Sequence, residues 1–247
     1  MDSAPPVPPR LFTPKHGRGL AISQAGQLIT FTGTTLVIEV GAMIAPSQFE
    51  EVPDVSAHMR KYDFDGLIFN RQGEVGDVFM AAVAAAALGR FLKLPTFLRS
   101  RTEYVAEWRV PDLSFGSPKG VVKRPLTIDL HRIFEFDHLP TNDPRYWRLH
   151  RCQKVAAVLG FMRDDAGRWV RFVDGVAVPV PDFRIDWTVE INPPRVAAAE
   201  ARLATRGWQR GTRTFRLVVG NGAAKTAQAR SPRADYVEAA VRALVAA

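Results

Sequence analysis

The sequence predicts an α+β fold: a mixed, mostly antiparallel sheet with about four helices and an extended proline-rich N-terminal arm. Three observations carry that expectation. Stretches with strand and helix character follow one another irregularly instead of in strict alternation. Several strands are joined by hairpin signals, the strongest being Asp174-Gly175 between two short apolar runs. One long alanine-rich stretch, 76–93, combines high helix propensity with the small side chains that let a helix lie close to a sheet.

The elements are expected in the following order. Residues 1–17 hold four prolines before Leu11 and a fifth at Pro14, which forbids a helix and favours an extended arm. From Leu20 the pattern is strand-like, a hairpin turns through Gln24, Ala25 and Gly26, and a β-rich run follows from Leu28 to Ile44, whose segment 34–40 (TTLVIEV) reads as a buried central strand. Asp54 opens a short helix to Tyr62, and 66–70 (GLIFN) is another strand before the alanine-rich helix. Strands are expected over 103–110 and 121–136, then a helix from Asn142 to about Met162 with Pro144 in its first turn. A turn at 164–167 leads into the hairpin 168–181, and Phe183, Ile185, Trp187, Val189 and Ile191 alternate along a half-buried strand ended by Pro193 and Pro194. A helix from Arg195 to Thr205 stops at Gly207; a strand over 208–219, a loop over 220–230 and a last helix opened by Ser231 and Pro232 complete the chain. The domain reading is an arm over 1–17, a core over 18–192, and a basic C-terminal segment over 193–247 packed on the same core.

Charge is distributed unevenly. Of the net +8, a local +7 falls in residues 193–247, where ten Arg/Lys face only Glu200, Asp235 and Glu238. A regional cationic surface concentrates polyanions such as nucleic acid; the alternative is arginine used simply as a solvating surface residue. The single cysteine, Cys152, excludes an internal disulfide and a Cys-rich zinc site, which points to a reducing, cytoplasmic setting. The longest apolar stretch, 78–88, is about half of a bilayer span, and the acidic, proline-rich start is neither a secretory signal nor a transit peptide. No membrane contact is expected.

Five constellations bear on chemistry. As a strand, 208–219 puts Trp208, Arg210, Thr212, Thr214 and Arg216 on one face, either a base-stacking, phosphate-holding surface or an edge guarded by charge; Arg213 lies on the other face. Lys225 sits in 220–226 (GNGAAKT), which lacks the spacing of a Walker loop but leaves room for an anion nest, and Arg230 follows. Arg145, Arg148, Arg151 and Lys154, with Arg168 and Arg171 after them, follow the helix-then-hairpin order of winged-helix DNA binders, but at three-residue spacing the helix charges spiral instead of forming a stripe. The run from Asp129 to His150, with His131, Asp137, His138 and Asn142 between, holds the residue inventory of a ββα-metal nuclease and at Asp137-His138 looks somewhat like that class, without its cysteine pairs. Asp63 and Asp65 share one face of an extended segment, and Cys152 has no assignable base.

These readings converge on a non-enzymatic, nucleic-acid-associated component of a larger assembly, a viral particle or mobile-element ribonucleoprotein. Trp208, Arg210, Arg213, Arg216, Lys225 and Arg230 would contact the polyanion, and the arm would meet other protein subunits. No cofactor or resident metal is expected. The alternatives are a metal-dependent nuclease using Asp137, His138 and His150, and a purely structural interaction subunit.

Overall fold

The computed structural model describes residues 9–23, 26–38, 42–73, 75–100, 108–131 and 149–207. The chain divides into two compact units, Met1–Asn192 and Pro193–Ala247, the second described over 193–207. The α+β class is as expected. Among the described residues there are four helices and a mixed set of sheets in which seven of the eleven strand pairings are antiparallel.

The main sheet has seven strands: β1 (Leu11–Pro14), β4 (Thr35–Ile38), β6 (Phe49–Val52), β7 (Gly66–Asn70), β8 (Thr96–Arg99), β10 (Ser114–Phe115) and β11 (Pro125–Asp129). Their spatial order is β10-β8-β7-β11-β4-β1-β6. The five strands from β10 to β4 are parallel, and β1 and β6 close one side antiparallel. The parallel core is a feature that hairpin signals could not announce. It arises because α2 (Val75–Leu92) carries the chain from β7 back to the start of β8. The residues expected to form an extended arm are partly a strand: Leu11–Pro14 lies between β4 and β6, with Leu11 opposite Ile38 and Val52. Leu11 is an apolar anchor there, and Pro14 sits at the strand's last position, where a missing N–H is tolerated.

One face of the main sheet presents Leu36, Ile38, Leu67, Phe69, Leu98, Leu126 and Ile128 to the principal core. α2 covers it, with every residue from Ala81 to Leu88 no more than 3% exposed. α3 (Arg151–Ala157) packs on α2 through Cys152, Val155 and Ala156. Gly89 is needed for this closeness: a Cβ there would lie 2.0 Å from Thr96 Oγ1. The opposite face is covered in patches. A three-stranded sheet of β2 (Arg18–Ser23), β3 (Leu28–Thr32) and β5 (Ala42–Met43) lays Ala21 and Phe31 over Val37 and Phe49, and Val122 packs on Ile68 and Phe97.

α1 (Val55–Tyr62) is N-capped by Asp54, whose carboxylate accepts from the N–H groups of Ser56 and Ala57, as the sequence suggested. β12 (Phe161–Arg163), β13 (Trp169–Val173) and β14 (Val176–Pro179) form an antiparallel sheet. Its β13–β14 turn uses Asp174 and Gly175 at φ 52° and 75°, the left-handed pair a tight hairpin requires.

Two elements differ from expectation. The helix foreseen from Asn142 to Met162 is described only as Arg151–Ala157, since residues 132–148 lie outside the described set and Gly160, at φ 80°, turns the chain into β12. The half-buried strand foreseen over 183–192 shrinks to β15 (Glu190–Ile191), paired with β9 (Trp108–Arg109). Phe183 is buried among Phe91, Phe161 and Trp169, with ring centroids 4.5–5.6 Å away, so its burial comes from an aromatic cluster and not from a ladder. Pro193 and Pro194 open α4 (Pro193–Ala204), where a missing N–H costs nothing. Among the described residues no helix is long and apolar enough to cross a membrane.

Glycine to alanine normally stabilises a helix by up to about 1 kcal/mol. At Gly89 the sign reverses: Gly89→Ala is expected to destabilise the protein by about 1–3 kcal/mol in chemical denaturation, and adding Thr96→Ala to recover part of the loss.

Candidate functional site

Three parallel strands finish their apolar runs on a polar residue: Asn70 after GLIF, Arg99 after TFL and Asp129 after PLTI. The register sets them side by side, Asp129 opposite Asn70 and Asn70 opposite Arg99. With neighbouring strands about 4.8 Å apart, the row spans roughly 10 Å. One row earlier on the same face are Thr127 and Thr35, also paired. This is where strand order reverses: from β7 the chain moves outward to β8 and β10, then returns to β11 on β7's other side. Open parallel sheets bind ligands at the carboxyl ends of strands at such a reversal.

The row lines a crevice of about 360 Å³. Its floor is Asn70, Arg99, Thr127 and Asp129; His131, just past β11, stands at one side; the β2–β3 hairpin forms the opposite wall with Gln27, Ile29, Thr30, Phe31 and Thr32. Hydroxyls knit that wall to the sheet: Thr32 Oγ1 lies 3.2 Å from Thr34 Oγ1 and 3.1 Å from Thr35 Oγ1.

The charges here are not neutralised by one another. No ion pair joins Arg99 to Asp129, and the buried Nε of Arg99 has no hydrogen-bond partner among the described residues. Burial pushes the Asp129 carboxyl up to about 6, against the opposing pull of the His131 backbone N–H and the Arg71 charge. Beside the crevice, Asp77 in the first turn of α2 holds two arginines. Arg71, buried and directly after Asn70, donates from Nη2 at 2.6 Å, and Arg151 at the start of α3 binds the other carboxylate oxygen. Gly73 lets the loop pass this cluster, where a Cβ would stand 3.1 Å from Arg71 Nη2 and 3.2 Å from Asp77 Oδ2.

The residues singled out from sequence fare differently. Trp208, Arg210, Arg213, Arg216, Lys225 and Arg230 lie outside the described residues, as do the 220–226 loop, Arg145, Arg148, Asp137 and His138. His150 caps α3: its Nδ1 accepts from the Cys152 N–H at 3.4 Å, while its own N–H donates to Gln153 Oε1 at 2.8 Å. Its ring meets Trp187 edge-on at 5.3 Å. Among the described residues no group of three or more His, Cys, Asp or Glu is placed to hold a metal. Asp63 pairs with Arg124 at 2.6 Å and Asp65 accepts the backbone N–H groups of Lys123 and Arg124, so both carboxylates fasten the loop before β11. Arg168 pairs with Asp164, Arg171 lies over the Phe161 ring, and Lys154 is buried, which leaves these cations committed within the fold. Cys152 is buried against Met80, its thiol pushed up to about 12 by desolvation. From the histidine-bearing segment, Asp129 and His131 do enter the crevice. Asn70, Arg99 and Arg71 escaped sequence reasoning, although each marks the polar end of an apolar strand.

No protein-family model and no curated protein matches the chain. Solved structures that resemble it in part include two of one bacterial protein. One is the bacterial iron-containing dodecameric glycosyltransferase TibC from enterotoxigenic E. coli H10407, at 14% identity and a TM-score of 0.30. The other is the dodecameric iron-containing heptosyltransferase TibC in complex with ADP-D-beta-D-heptose, at 12% identity and a TM-score of 0.30. Each match covers 73% of this chain and 45% of the other, so the chain spans less than half the length of those proteins. Similarity this slight leaves the crevice to be understood from its own residues.

A carboxyl whose native pKa is about 6, above its ordinary 3.8, holds its proton more tightly folded than unfolded. Its contribution to stability is therefore complete below pH 3.8 and lost as pH rises through 6. Asp129→Asn is expected to gain stability relative to the parent between these limits and to keep the gain at neutral pH, as denaturation at several pH values would show.

Proposed function

We propose that the 1–192 unit is a binding domain for a small anionic ligand bearing a phosphate or comparable oxyanion, seated at the carboxyl ends of β7, β8 and β11. The observation that carries this reading is the Arg99–Asn70–Asp129 row, placed in register at the strand-order reversal with no internal ion pair to satisfy it. Arg99 offers charge and a donor fork suited to an oxyanion. The Asn70 amide lies in the middle of the row, and the threonine hydroxyls of the wall and floor supply further donors. A crevice partly closed by Phe31 and Ile29 strengthens these contacts by excluding water.

Thermal-shift and calorimetric titration with inorganic phosphate, pyrophosphate, adenosine phosphates and sugar phosphates tests the reading. At least one is expected to bind, and Arg99→Ala to weaken it by about ten-fold or more, the worth of a charged hydrogen bond in a half-buried site. Binding that survives Arg99→Ala unchanged overturns the assignment.

A second reading belongs to residues 193–247. Their local +7 supports association with a polyanion such as nucleic acid, within a larger assembly. In the described part of this unit Arg195 and Arg202, seven residues apart, fall on one side of α4, where both are exposed. Neutralising Arg210, Arg213 and Arg216 together is expected to lower the salt at which the protein leaves heparin and to flatten the salt dependence of nucleic-acid binding. Unchanged retention at about 100 mM salt rejects this second reading.

A further inference from the structure

We infer that the crevice takes up its anion together with a proton, which resides on Asp129 and lets the neutral carboxyl donate a hydrogen bond to the ligand. The inference rests on the anion-binding reading and assigns Asp129 a role within it.

The geometry leads to this conclusion. Arg99 and Asp129 stand at the two ends of one row with Asn70 between them, two strand spacings apart, and neither closes on the other. An oxyanion held by Arg99 over Asn70 therefore has Asp129 as its neighbour on the far side. A carboxylate there is acceptor-only and repels an anion; a carboxylic acid is a donor and completes the ring of donors. Position selects the acid form, because the carboxyl sits at the end of a buried strand, between Ile128 and Leu130, where charge is poorly solvated. The direction of its titration agrees, since desolvation outweighs both stabilising influences on the charged form.

The other groups facing Asp129 are accounted for. Arg99 comes from β8, Arg71 from the residue after β7, and His131 from the residue after the Asp129–Leu130 pair. β4 brings only Thr35, and the β2–β3 hairpin brings no ionisable side chain to the crevice, only Gln27, Ile29, Thr30, Phe31 and Thr32. Among the described residues, then, His131 is the one histidine lining the crevice, and histidine is the side-chain type most prone to exchange a proton in the physiological range. It follows that a histidine control separates the two sources of pH dependence.

Sulfate is the probe, because it stays a dianion throughout the relevant range while phosphate does not. Titration calorimetry of the full chain at several pH values, each in two buffers of different ionisation enthalpy, reads both affinity and protons bound. The parent is expected to bind sulfate with net proton uptake near pH 7 and to lose affinity about ten-fold for each pH unit above 6. Asp129→Asn, a neutral isostere whose amide also donates, is expected to bind without proton uptake and with a flat profile, while His131→Gln retains the parent's slope. If Asp129→Asn keeps the slope, or His131→Gln abolishes it, the inference is overturned while the anion-binding reading stands. If neither the parent nor Asp129→Asn binds sulfate, and the phosphate panel fails as well, both fall together. Circular dichroism of each variant confirms that a lost signal is not lost fold.

Discussion

Close burial of α2 against the parallel strands is the constraint on which the rest of the structure depends. A helix with small side chains from Ala81 to Leu88 approaches a sheet more nearly than one built of leucines, and the missing Cβ at Gly89 shows how little clearance remains beside Thr96. Close approach fixes the helix axis relative to β7 and β8, and so fixes where those strands end. Each fully buried Leu or Phe on the sheet side, Leu67, Phe69, Leu98 and Leu126 among them, adds about 1.5–3 kcal/mol of transfer free energy. The polar residues that follow on Asn70 and Arg99 are carried on a rigid base.

The β7–α2 connection translates that rigidity to the crevice. Arg71 is almost wholly removed from solvent, its side chain 8% exposed, and a buried guanidinium without a counter-ion is far costlier than the pair it forms with Asp77. Because Asp77 also binds Arg151, one carboxylate ties the end of β7, the start of α2 and the start of α3 together. Arg71 has a second task, donating from Nη1 to the Leu130 carbonyl at 3.4 Å, which links the end of β7 to the residue between Asp129 and His131. Positive charge held there also draws on Asp129, though too weakly to overcome its desolvation.

How much of this was legible in the sequence depends on the range of the interaction. Local signals read truly: the Asp54 cap, the GLIFN strand, the alanine-rich helix within one residue at each end, and the Asp174-Gly175 turn are all set by neighbours a few positions away. Alternation over 183–191 misled because burial of Phe183 reflects Phe91, Phe161 and Trp169, which are distant in sequence, and periodicity alone does not distinguish a ladder from a strap over an aromatic cluster. Proline content misled for Leu11–Pro14, where a long-range pairing with β4 and β6 overrides the preference of the preceding residues. The crevice was the least legible feature. Asn70, Arg99 and Asp129 are 29 and 30 positions apart along the chain, and only parallel register makes them neighbours. His150 shows the converse: a residue singled out for its chemistry also has a local structural task, capping the helix that follows it.

Stability alone does not account for the polar row. Where carboxylates elsewhere serve the fold, the structure displays their reward: Asp65 accepts two backbone N–H groups, Asp164 binds the backbone and guanidinium of Arg168, and Asp77 binds two arginines. Each is met by backbone N–H donors or by guanidinium groups. Asp129 is the opposite case, burdened by burial and relieved only by one backbone N–H and a remote cation. Arg99 likewise keeps a buried Nε without an acceptor, an arrangement that carries a penalty of about 1–3 kcal/mol. Leucine or valine at these positions would extend the apolar runs that precede them and remove both penalties, and buried ionic groups replaced in this way are often neutral or stabilising. A sheet that ends three adjacent strands on Arg, Asn and Asp, and leaves a cavity over them, forgoes that gain at the one place where its topology already opens a crevice. In the proposed reading the anion supplies the offset, its charge and acceptor oxygens meeting the donors that the row holds open.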